Sequence, residues 1–111
     1  MNRASTPTYS FDIDKEYPVD DITALVLTFK QGDVELNKHL QDVVINCVRD
    51  GGEITKNEIS ITLSQQETKM FDGSVNAPYV FVQIRFKFSG KVISTDVLRT
   101  RVYDVLNDEV L

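Results

Sequence analysis

Apolar and polar residues alternate along most of this chain, and helical spacing is rare. Tyr79–Phe88 shows the alternation most strongly. Val80, Val82, Ile84, Phe86 and Phe88 share one face; Tyr79, Phe81, Gln83, Arg85 and Lys87 share the other. A period of two marks a strand with one face buried and one solvated. In Thr8–Ile13, Tyr9, Phe11 and Ile13 likewise oppose Ser10 and Asp12. Ile22–Lys30 is largely apolar on both faces, which predicts a central strand. Gln31-Gly32-Asp33 then predicts a tight turn, and Val34–Lys38 a returning arm with Val34 and Leu36 inward. Val43–Val48 and Glu58–Leu63 add two strands, with turn residues at Arg49-Asp-Gly-Gly52 between them. After Ser89-Gly90, residues 92–106 predict one long strand or two short ones. Asn107–Leu111 is a polar tail with apolar residues able to dock.

One helix start is legible. In Ser64-Gln-Gln-Glu67 the serine hydroxyl can accept a first-turn N–H while the glutamate reaches back to the serine N–H. Asp72-Gly73 ends the segment, so the helix near 64–71 has at most two turns and serves as a corner between strands. About seven short strands with regular turns predict an all-β chain, an antiparallel β-sandwich of Ig-like architecture, with a small β-barrel as the alternative. The chain has no tryptophan and a single cysteine, so the hallmarks of antibody domains are missing. Its 111 residues suit one domain over 7–111. The small polar residues 1–6 are expected to be mobile unless a partner orders them.

Composition narrows the function. Seventeen acids against twelve bases give a net charge of −5, and the bases are scattered, with Arg99-Thr-Arg101 the densest group. Nucleic-acid binders draw most of their affinity from a basic face, so no nucleic-acid partner is expected. The N-terminus lacks the apolar core of a secretory signal, and no run approaches the ~18 apolar residues of a membrane span. Cys47, within the apolar run Val43–Val48, reads as a small buried hydrophobe. As a nucleophile it would need a base, and His39, at a strand end, is the lone imidazole. One cysteine and one histidine are too few for the usual zinc sites, and no phosphate-binding or dinucleotide motif is present. The carboxylates Asp12, Asp14, Glu16, Asp20 and Asp21 resemble the first half of a calcium loop. Tyr17 and Thr23 stand where that loop needs glycine and glutamate, so a solvated acidic loop is expected. No catalytic residue, metal or cofactor is therefore assigned, and the chain is read as no enzyme.

What remains is surface. Tyr79 and Phe81 lie opposite the core face of their strand. They are expected to cover a second layer within the monomer or, failing that, to form a subunit contact. With Arg85, Arg99 and Arg101 they make the candidate interaction set; Ser64 and Glu67 are the structural capping pair.

Several motifs run through nearly the whole chain: Thr6-Pro-Thr-Tyr9, Thr28-Phe-Lys-Gln-Gly32, Leu63-Ser-Gln-Gln-Glu-Thr-Lys-Met-Phe71, Val82-Gln-Ile-Arg85 and the acidic, apolar-ended Val105–Leu111. In these the chain resembles small proteins encoded in the tail and baseplate regions of phages and prophages of Gram-positive bacteria, Leu63–Phe71 being the most specific part. The resemblance implies a β-rich structural protein and carries over no catalytic residue. The expected function is that of a non-enzymatic structural or accessory protein, contacting copies of itself or other phage structural proteins, in the virion or in the host cytoplasm before assembly. The alternatives are a carbohydrate- or surface-binding module, with or without assistance from calcium, and a cytoplasmic assembly chaperone.

Overall fold

The structure is a computed structural model that describes residues 1–76, 78–107 and 109–111. Among the described residues the chain forms eight strands in two antiparallel sheets, with one short α-helix. Strands β1 (Thr8–Asp12), β5 (Glu53–Thr62) and β4 (Val44–Asp50) form one sheet in that order. The second sheet runs β3 (Val34–His39), β2 (Ala24–Gln31), β6 (Tyr79–Phe88), with β7 (Lys91–Ser94) and β8 (Leu98–Arg101) both on the far side of β6. The sheets pack together as an all-β sandwich; no closed barrel forms among the described residues. The barrel alternative therefore falls.

Register explains the core. Leu25, Leu27 and Phe29 on β2 pair with Phe86, Ile84 and Val82 on β6, so six apolar side chains form a single inward surface. Ile59 and Ile61 of β5 face it from the other sheet. β2 is central, as its two apolar faces predict, but its second face stays open: Ala24 is exposed and Val26 half-buried. The segment after β6 is two short strands. β7 pairs with Arg85–Phe88 and β8 with Tyr79–Val82, along the same edge. Between them Thr95 replaces the ladder: its hydroxyl accepts the Ile84 N–H at 3.1 Å, and its own N–H reaches the Ile84 carbonyl at 2.9 Å.

β5 begins five residues earlier than its alternation predicts, because a polar residue occupies an inward position. Asn57 is buried, and its amide fastens the loop between β1 and β2. Oδ1 accepts the Val19 N–H at 2.8 Å; Nδ2 donates to the carbonyls of Ile13, Asp14 and Tyr17 at 3.0, 3.1 and 3.0 Å. Buried polar groups persist where their bonds are satisfied, and a loop with inward carbonyls needs such a partner.

The Ser64–Glu67 box forms as expected. Ser64 Oγ accepts the Glu67 N–H at 3.1 Å, and Glu67 Oε1 accepts the Ser64 N–H at 2.9 Å. The helix α1 is one turn, Gln65–Thr68. The rest of the segment fastens distant chain. Buried Thr68 bonds the Ser5 N–H and carbonyl, and Glu67 pairs with Lys38 of β3. Gln65 holds Leu111 through both backbone groups, and Gln31 similarly holds Asp72. Residues 1–6, expected to be mobile, are tied down. Arg3 donates to the Phe71 and Lys69 carbonyls at 2.7 and 2.9 Å, and Asn2 bridges Tyr103. Gly73 passes so close to this terminal pair that a Cβ there would lie 2.9 Å from the Asp104 backbone nitrogen.

Candidate protein-contact face

Strand pairing gathers the candidate interaction residues. In antiparallel sheets, residues directly opposite share a face. Tyr79 stands opposite Arg101, and Phe81 stands between Lys30 and Arg99. Arg85 lies between Val26 and Ser94, and Lys87 between Ala24 and Val92. All five sequence-chosen residues therefore lie on the outer face of the five-stranded sheet, joined by Lys30, Lys87 and Val92. The missed residues carry the same signal as the chosen ones, but it is visible only once β2 and β7 are placed beside β6.

The second layer expected over Tyr79 and Phe81 is not there. Phe81 is 50% exposed and Val92 61% exposed. A shallow depression of about 270 Å³ lies beside Val92, toward the other end of β6 from Phe81, lined by Ala24, Val26, Arg85, Lys87 and Val92 among others. Tyr79 is half-buried because the Arg99 guanidinium lies 4.5 Å from its ring centroid; Arg101 sits 5.6 Å from the Tyr103 ring. Such cation–π contacts, each worth about 0.5–1 kcal/mol at exposed sites, keep both arginines against aromatic surface.

The charge on this face is opposite in sign to that of the chain. Lys30, Arg85, Lys87, Arg99 and Arg101 stand there with one carboxylate, Glu35, which lies 4.0 Å from Lys30. Among the described residues none of the other four cations has a carboxylate partner. The bases scattered along the sequence are thus partly gathered in space. Several of the chain's acids are engaged. Arg49 grips Asp20 at 2.6 and 3.1 Å and holds its carboxyl below the usual range. Burial pushes the Glu67 carboxyl up, but its bonds to Lys38 and Ser64 outweigh this and hold it below its ordinary value.

The remaining chemistry does not converge. His39 is exposed at the end of β3, on the outer face opposite Val26. Cys47 lies in the other sheet, opposite buried Asn57 and beside Asp20 and Arg49. It is half-buried, not fully buried as its apolar run predicts, because β4 is an edge strand. Among the described residues no group of three His, Cys, Asp or Glu side chains is placed to hold a metal ion, and no helix is long and apolar enough to cross a membrane. The tyrosines divide. Tyr9 packs on Phe29, and Tyr17 edges onto Phe86 and Phe88 at 5.6 and 5.4 Å, which leaves Tyr79 and Tyr103 nearer the surface. A second cleft of about 290 Å³ runs between the unpaired edges of β1 and β7–β8. Phe11, Ile13, Ile84 and Leu98 line it, and its described titratable groups are Asp12 and Asp96.

No protein-family model matches the chain, and neither a curated protein nor a solved structure matches it.

Proposed function

We propose that the chain is a non-enzymatic structural or accessory protein of a phage particle, of the tail or baseplate region, acting through protein–protein contacts made by the outer face of its five-stranded sheet. The observation that carries the reading is the exposure of Phe81 and Val92 on the outer face of the sheet, together with cations that have no carboxylate partner among the described residues. Exposed apolar surface rimmed by charge marks an interaction site, and arginine and aromatic residues are enriched where such contacts are strong. The resemblance of Leu63–Phe71 supplies the phage setting, and in this structure that segment fastens the fold and leaves the sheet face free.

Amine cross-linking of purified particles, read by mass spectrometry, tests this. Lys30 and Lys87 report the face, while Lys15, Lys56 and Lys69 lie off it. The reading expects the chain in the particle, with Lys30 and Lys87 joined to another polypeptide. A chain found in the host cytoplasm and missing from particles would favour the chaperone reading. A particle component cross-linked through Lys15, Lys56 or Lys69 alone would move the contact off this face.

A further inference from the structure

We infer that the cationic face receives a second copy of this chain, which presents its acidic C-terminal segment Asp104–Leu111. The inference rests on the protein-contact reading and names the occupant. Charge is the first ground. Copies with a net charge of −5 repel on average, so a self-contact through this face sets its cations against an acidic part of the partner copy.

Two parts of the chain are acidic enough, and exposure chooses between them. The loop from Asp12 to Asp21 has its apolar residues Ile13 and Val19 buried, and Asp20 is already gripped by Arg49. It offers nothing to Phe81 and Val92. The segment Asp104–Leu111 combines Asp104, Asp108 and Glu109 with Val105, Leu106, Val110 and Leu111. Leu106 and Leu111 are fully exposed, so their own copy leaves them uncovered. Carboxylates interspersed with aliphatic side chains match a surface where guanidinium and ammonium groups flank an exposed phenylalanine and an exposed valine. Leu111, at the end of the segment, is held to Gln65 of α1 through both its backbone groups, while Leu106 and Glu109 stay exposed to solvent. A one-way contact of this kind propagates into a ring or filament, whereas a mutual exchange closes a dimer.

Two charge-reversed variants of the full chain test the pairing. Arg85→Glu with Lys87→Glu alters the face, and Leu106→Lys with Glu109→Lys alters the segment. All four side chains are exposed and outside the core, and circular dichroism verifies that both variants are folded. Solution mass is measured by light scattering over about a hundredfold range of concentration, at low and high salt. The wild type is expected to associate, less so in high salt. Each variant is expected to need roughly tenfold more protein to associate, and an equimolar mixture of the two to recover association. Association lost in the face variant and unchanged in the segment variant overturns the inference while leaving the protein-contact reading intact. A wild type that is monomeric throughout overturns it as well, as does a monomer that instead binds a single-stranded oligonucleotide.

Discussion

Replacing Asn57 by alanine removes the amide that holds the β1–β2 loop. Its Nδ2 carries two protons for three carbonyls, and Oδ1 takes the Val19 N–H, so three protons are satisfied at once. Each such bond contributes about 1 kcal/mol net, and a buried group left unpaired costs 1–3 kcal/mol. Because the loop can partly open to water, a loss of about 3 kcal/mol is expected. Unfolding entropy of about 2.1 cal/mol/K per residue converts this, for a chain of this length, into a fall of about 13 °C in Tm. Asn57→Asp makes the cause specific. It keeps the volume and the Val19 bond but points a carboxylate oxygen at the carbonyls of Ile13, Asp14 and Tyr17. Its loss at neutral pH should match or exceed that of alanine and shrink as the pH falls and the carboxyl takes up a proton. Thermal unfolding followed by circular dichroism reads both variants. A fall below about 4 °C for Asn57→Ala, or an aspartate variant as stable as wild type at pH 7, would refute the reasoning.

Other expectations are more local. The Glu67 carboxyl lies below its ordinary value of 4.5 in the folded chain. Its stabilising effect is therefore complete above that value and is lost as the pH falls through the lower folded value. Lys38→Met should weaken this acid dependence in denaturant titrations. Ser64→Ala should cost about 1 kcal/mol through the lost cap, seen as a lower urea midpoint at unchanged slope. Gly73→Ala should cost about 1–3 kcal/mol by overpacking against Asp104, and hydrogen exchange should speed up first at Val102 and Tyr103, whose N–H groups are bonded to Pro78 and Met1.

Features written in consecutive residues were legible in the sequence. The β6 alternation fixed which side chains turn inward, Gly32 marked the β2–β3 hairpin, and the Ser64–Glu67 spacing located the helix start. Features that depend on pairing were not. Phe81 meets Lys30 and Arg99 only because β2 and β8 flank β6, and neither neighbour is adjacent to it in sequence. The candidate residues were therefore chosen as separate polar-face positions, while the cationic surface they form was invisible. Asn57 hid the first half of β5 because a polar residue at an inward position breaks a strand pattern unless its loop partners are known. Arg3 and Ser5 carry no local signal for docking; their partners lie more than sixty residues away.

The most direct test of the contact face is the solution mass of Phe81→Asp beside wild type, at equal concentration and low salt. Phe81 lies on the outer face and is half exposed, so the fold should be kept, with a fall of only about 4 °C in Tm from an aspartate in a strand. The account predicts that the wild type is an oligomer and that the aspartate variant is displaced to monomer. A variant that assembles as the wild type does would contradict it.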